Sequence, residues 1–419
     1  MAAGYLEILR ARHAARLLAG TLVGRLPNAT AAIAIVLFVR AEGGTYSLAG
    51  ALAAVYGVAN AVGQPVLGRL VDLYGQSRVQ LPAAVLAALA TTVLAATGIE
   101  PAAVAWTAVA ASGLFTPPLE GGLRALWPSV LRREDQVHTA YAMDAVAQEV
   151  MFTVGPLLVT LCVSLWSARV ALVVLSVAGV LGALSVVLSP PSRAWRSAPR
   201  EAHWLGALRS PGLLALLGAF LFVGIALGSI TVAAVPYADG HGGDAVYGWL
   251  MAALGLGALV GGAVYGARQW RGVPERRLRV LVALLAVCYL PLALMPGTVA
   301  MALLTALAGV FLAPAIACAF VIVDRHAPRG TVTEAFSWLV TTFTVGSSVG
   351  TGVAGPVVQS GGALWGFVLP SAAGAVSLLV LTVTGGVLTA PAVRAVVAAS
   401  SENDPNRAAE PRFSSGDRA

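Results

Sequence analysis

The chain alternates long apolar runs with short polar breaks. The runs cover residues 17–39, 47–70, 79–98, 102–127, 140–163 and 169–188, then 212–235, 245–267, 278–295, 299–323, 335–357 and 363–389. A helix rising ~1.5 Å per residue needs about 20 residues to cross a hydrocarbon core of about 30 Å, so each run predicts one membrane crossing. The expectation is an all-α polytopic membrane protein with twelve transmembrane helices. The breaks Glu42-Gly43-Gly44, Gly98 to Pro101, Asp239 to Asp244, Met295-Pro296-Gly297 and Gln359 to Gly362 all fall on one side.

Composition sharpens this picture. With 58% hydrophobic and 11% charged residues and a mean hydropathy of +0.83, an ordinary soluble domain is excluded. The net charge of +7 comes with 26 basic residues, all arginine, spread over loops, so it does not point to nucleic acid. Arg10, Arg12, Arg16, Arg69, Arg78, Arg132, Arg133, Arg193, Arg196, Arg200 and Arg209 share one side. Arg268, Arg271, Arg276, Arg277, Arg279, Arg325 and Arg329 join them, whereas only Arg40 and Arg169 lie opposite. By the positive-inside rule both termini are expected in the cytoplasm, the protein sits in the cell's cytoplasmic membrane, and the first span is retained rather than cleaved as a signal peptide. Cys162, Cys288 and Cys318 lie deep in apolar runs and offer neither a disulfide framework nor a metal site. No cofactor is expected. Nor is an enzyme, since no nucleophile–base set, HExxH or P-loop occurs.

Residues 189–210 are the one long internal connection, with two prolines and a basic, Trp-containing stretch suited to a linker on the cytoplasmic membrane surface. They divide the chain into a six-helix half at 1–188 and another at 211–390, followed by a tail at 391–419 that lacks apolar periodicity and is expected to be disordered. A repeat supports the division. AVYG occurs at Ala54 to Gly57 and Ala245 to Gly248, and FTVG at Phe152 to Gly155 and Phe343 to Gly346, both 191 residues apart.

Between the second and third runs stands Gly68-Arg69-Leu70-Val71-Asp72-Leu73-Tyr74-Gly75-Gln76-Ser77-Arg78. Gly68 permits close approach of a neighbouring backbone, Asp72 can accept from orphan backbone N–H groups, and Gly75 supplies the tight turn. The stretch resembles the loop signature of the major facilitator superfamily, with Leu73 where a basic residue usually follows the aspartate. The resemblance implies two pseudo-repeated six-helix bundles that rock about a midplane site. It further implies that Gly68, Asp72 and Arg78 lock the halves on the cytoplasmic side when the cavity faces outward. No aspartate occupies the equivalent position of the second half, around Gly262 to Gly266.

An ionisable group at span depth costs at least ~2.5 kcal/mol and needs a partner or a function. The first half has five: Arg25, Glu120, Arg124, Asp144 and Glu149. Depth along the helices predicts a shallow pair, Arg124 with Asp144, which could serve as a gate, and a deeper pairing of Arg25 with Glu120 or Glu149. Two arginines against three acids leave one carboxylate over, a candidate for proton coupling, with Glu149 first and Glu120 second. Asp144 and Glu149 lie about 140° apart around one helix, so they cannot share a partner. Asn28, one turn beyond Arg25, is a candidate for substrate contact or for bonding a kinked backbone. The second half is nearly charge-free at depth, and Trp249, Trp338, Thr341, Thr342, Phe343 and Thr344 are expected to form its cavity wall. Gly155-Pro156 partly matches the span-five pattern of the superfamily's proton antiporters.

The function expected is export of a small organic molecule against an incoming proton by alternating access. The alternative is proton-linked uptake of an anionic or polar metabolite with Arg25 as its ligand. The partners implied are the substrate, protons and the lipid bilayer. A monomer would suffice for such a fold.

Overall fold

The computed structural model describes residues 2–131, 133–198, 204–268, 270 and 272–388; the expected tail at 391–419 lies outside them, as do Arg132, Arg200 and Arg271. The described residues form helices and no strand. In the first half these are α1 (Ala2–Arg10), α2 (Ala14–Ala41), α3 (Tyr46–Tyr74), α4 (Gln76–Thr97), α5 (Ala102–Leu114), α6 (Leu119–Val130), α7 (Glu134–Leu165) and α8 (Ala168–Val187). The connection contains α9 (Pro190–Ala194). The second half holds α10 (Pro211–Asp239), α11 (Asp244–Gly266), α12 (Pro274–Tyr289), α13 (Thr298–Gly309), α14 (Leu312–His326) and α15 (Val332–Val383).

Eleven stretches among the described residues are long and apolar enough to span a membrane. The last is 52 residues long and turns at Gly362, whose φ of 77° and ψ of −179° are not helical, so the stretches make twelve crossings. The loop expected at 359–362 therefore shrinks to a single backbone reversal, one that glycine can adopt because it has no Cβ.

Two crossings predicted as continuous are broken. The fourth divides at 115–118, where Pro117 and Pro118 have no N–H to continue the helix. Thr116 O, at the break, has no backbone donor among the described residues and accepts from Gln64 Nε2 (3.0 Å). Gln80 Nε2 adds a bond to Pro118 O (3.4 Å), which also accepts from Gly122 N (3.0 Å), and Gln76 Nε2 one to Gly122 O (2.9 Å) inside α6. The tenth divides between α13 and α14.

Within the first half, α2 packs on α8 and α3 on α5; within the second, α10 packs on α15 and α11 on α13. Glycines let these backbones meet. A Cβ on Gly182 would lie 2.2 Å from Gly24 N, and one on Gly228 would lie 1.9 Å from Ser347 O. The halves meet along two seams, α3 against α15 and α7 against α11 and α14. The connection docks on the first half: Trp195 Nε1 donates to Ala125 O (3.2 Å), and Arg69 Nη1 donates to Trp204 O (2.7 Å).

Candidate transport site

A cavity of about 660 Å³ lies between the halves. Its first-half wall includes Arg25, Asn28, Asn60, Gln64, Glu120 and Gln148; its second-half wall includes Phe220, Ile316, Phe320, Leu339, Phe343 and Val349. All the charged and amide groups of the lining thus come from the first half, while the second half brings the phenylalanines and, as its polar groups, only hydroxyls.

The charged groups at its floor form one network. Arg25 Nη2 donates to Glu120 Oε2 (2.6 Å) and Arg25 Nη1 to Asp144 Oδ1 (3.1 Å). Arg124 Nε donates to Asp144 Oδ2 (2.7 Å) and Arg124 Nη2 to Glu120 Oε2 (3.4 Å). Gln148 Oε1 accepts from both arginines, at 3.2 and 3.4 Å. The expected pairs Arg124–Asp144 and Arg25–Glu120 are present, but the two layers predicted from depth are a single network. Asp144 uses one oxygen for each arginine, and Glu120 reaches both because Arg124 lies one turn along its own helix. The break before α6 also matters, since it puts Glu120 in that helix's first turn, where free N–H groups favour a carboxylate.

Glu149 follows Gln148, so it is turned about 100° around α7. It is half-buried and is not part of the cavity lining. Asn28 does face the cavity. Its Oδ1 accepts from Tyr56 Oη (3.2 Å) and Asn60 Nδ2 (3.1 Å), and Tyr56 shares a further hydrogen bond with Thr116 (3.1 Å). The Asn60 Oδ1 is buried with no hydrogen-bond partner.

Asp72 joins the halves. Its carboxylate accepts from Thr333 N (3.1 Å) and Glu334 N (2.8 Å), the orphan donors in the first turn of α15, whose own N-cap residue Thr331 makes no side-chain cap. Gly68 makes this approach possible, because a Cβ there would sit 2.7 Å from Ser337 Oγ. Gly75 turns the chain at a φ of 89°, and Arg196 packs over it. Arg78 stands exposed at the start of α4 with no hydrogen bond or ion pair among the described residues; Arg69 holds the connection instead.

These contacts close the arginine-rich end of the cavity. Arg124 is fully buried and its guanidinium lies 3.7 Å from the centre of the Phe320 ring, on the other half. Phe320, Phe336 and Tyr141 pack on one another at ring separations of 5.8 to 6.2 Å. At the opposite end Ala54, Gly57, Ser348 and Val349 line the cavity and are exposed. The cavity therefore opens away from the arginines.

Thr341, Phe343 and Thr344 line the wall as expected, but Trp249, Trp338 and Thr342 do not. Sequence reasoning passed over Tyr56, Asn60 and Gln64. Their spacing of four residues places them on one face of an apolar span, a signal that was available.

The family model described as Major Facilitator Superfamily matches residues 17–351. No curated protein matches the chain. Among solved structures, a bacterial homologue of the iron transporter ferroportin in its outward-facing state superposes with a TM-score of 0.71 at 16% identity, covering 90% of this chain and 100% of that one. The human organic anion transporter MFSD10 (TETRAN) gives 0.65 at 18% identity, covering 87% and 99%. The E. coli fucose:proton symporter FucP gives 0.65 at 16% identity, covering 88% and 97%. At such identities the likeness is one of fold.

Proposed function

This chain belongs to the major facilitator superfamily of transporters, and from that premise we propose that it exports an uncharged, amphipathic small organic molecule against an incoming proton. The proposal places it in the cytoplasmic membrane with the arginine-rich end and both termini in the cytoplasm, which makes the cavity described above outward-open.

The observation that carries the reading is the composition of the buried network. Arg25 and Arg124 contact Glu120 and Asp144 directly, so two positive charges meet two negative ones. An anionic substrate would have to displace a carboxylate from Arg25; an uncharged one would not. The amide and hydroxyl groups of one wall suit a substrate's hydrogen-bonding edge, and the aromatic and aliphatic groups of the other suit its apolar face. Uptake of an anion with Arg25 as its ligand has less support for the same reason.

For proton coupling the geometry favours Glu120 over Glu149. Glu120 lines the cavity and touches both arginines, whereas Glu149 is outside the network. Protonating Glu120 would leave two arginines against one acid. The network would loosen, and with it the contact of Arg124 on Phe320 that seals the inner end. Gly155-Pro156, which partly matches the span-five pattern of proton antiporters, supports export as the direction.

The test is proton movement in sealed vesicles holding the purified protein, with uncharged lipophilic compounds, lipophilic cations and organic anions added in turn. The expected result is proton flux with the uncharged compounds, lost in Glu120→Gln and kept in Glu149→Gln. Loss only in Glu149→Gln would move the coupling site there, and flux driven best by anions would overturn the substrate class.

A further inference from the structure

The two seams are built differently at their arginine-rich ends. At the first, the Asp72 carboxylate of α3 ties the halves by capping α15. The repeat spacing of 191 residues carries Asp72 to Ala263 of α11, so the second seam has no matching carboxylate. What it has instead is a polar pocket of about 280 Å³ between α7 and the α11–α12 connection.

Arginines dominate this pocket. Arg133 is paired with Asp135, which leaves Arg268 and Arg277 with no ion pair among the described residues. Both are held by ring faces rather than by acids. The Arg268 guanidinium lies 5.3 Å from the Trp270 ring centre, and that of Arg277 lies 5.6 Å from Trp270 and 5.8 Å from Tyr265; the two rings stack at 5.1 Å. A ring face positions a guanidinium without neutralising it or using all its N–H donors. His138 and Thr139, one and two residues past the first turn of α7, face the same space from the other half.

We infer that this pocket binds a phosphate-bearing anion, gripped by Arg268 and Arg277 from one half and by His138 and Thr139 from the other. Such an anion bridges the second seam as the Asp72 carboxylate bridges the first. The pocket lies at the arginine-rich ends of the apolar stretches of α7 and α11, a position open to two sources of the anion, a lipid phosphodiester and a free phosphate.

The test is the apparent thermal midpoint of the purified full-length protein in neutral detergent, titrated with phosphatidylglycerol in one arm and inorganic phosphate in the other. Phosphatidylcholine and sodium chloride at matched ionic strength are the controls. The expected result is a saturable rise in midpoint in one arm, which identifies the source, with half-saturation about tenfold weaker or more in Arg277→Gln. Arg268 is exposed, so Arg268→Gln should fold normally and show the same weakening. Arg193→Gln, on the same face but outside the pocket, should respond like the parent. Equal responses in the parent, Arg268→Gln and Arg277→Gln, or no saturable rise in either arm, would overturn the proposal.

Discussion

The two halves of the molecule share a scaffold and differ in what they bring to the cavity. In the first half, a Cβ on Gly63 of α3 would meet Leu114 O of α5 at 2.1 Å; in the second, a Cβ on Gly257 of α11 would meet Ala306 O of α13 at 1.9 Å. The α2–α8 contact through Gly24 and Gly182 has its counterpart where α10 meets α15 beyond Gly362, since a Cβ on Gly366 would lie 2.9 Å from Ala233 Cβ. Yet the charged network and the amide cluster belong to the first half, while the cavity-facing phenylalanines Phe220, Phe320 and Phe343 belong to the second. A repeated backbone arrangement therefore does not oblige the halves to repeat their chemistry. Packing depends on where glycines let helices touch, and chemistry on which side chains face inward.

The strongest way to break the comparison is to remove a charge from the first half. Asp144→Asn leaves Arg124 buried with only the more distant Glu120, and should cost about 3–5 kcal/mol of stability, measured as loss of folded protein during denaturant unfolding in detergent. Scaffold equivalence can be tested next. Gly63→Val and Gly257→Val each drive a side chain into a backbone carbonyl that cannot swing aside, so both should lose about 1–3 kcal/mol or more. A silent change in one half alone would show that the two contacts are not equivalent.

The joint between the halves comes third. Asp72→Ala strips the cap from α15 and should weaken the first seam by about 1–2 kcal/mol, seen as faster alkylation of a cysteine placed at Ser337. The cavity walls should then respond differently to truncation. Phe343→Ala weakens every lipophilic substrate. Asn60→Ala weakens only those with a hydrogen-bonding group, by about fivefold, read as apparent affinity in the vesicle assay.

The smallest effect lies at the open end, where Arg169, in the first turn of α8, donates to both oxygens of Glu42, just past the end of α2, at 2.7 and 2.6 Å. That hydrogen bond holds the Glu42 carboxyl below its ordinary value. Its contribution is present above the ordinary carboxyl range and is lost as the pH falls through the lower folded value. Because the pair is surface-exposed, Glu42→Gln should barely move the thermal midpoint at neutral pH and should slightly flatten its decline in acid.

Much of this architecture could be read from the chain. Apolar length is a one-dimensional property, and a bilayer converts it directly into crossings, which is why the twelve spans were legible without any knowledge of contacts. The breaks were harder. Pro117 and Pro118 are visible in the fourth span, but the carbonyl of Thr116 that they strand at the break is met by Gln64 of α3, a partner that only packing supplies. Likewise Asp72 could be read as a carboxylate seeking orphan N–H groups, yet the groups it found lie 261 and 262 residues away.

The sequence by itself therefore determined that there are twelve crossings, which charged groups they carry at depth, and that a repeated pair of halves encloses them. The tertiary structure alone decided that Arg25, Glu120, Arg124 and Asp144 form one neutral network, that Glu149 lies outside it, and that the cavity is sealed at the arginine-rich end. The reason is physical. Burial depth follows from position along one helix, but pairing depends on how each helix is rotated about its axis and which helix it meets, and those are set by packing among segments far apart in the chain.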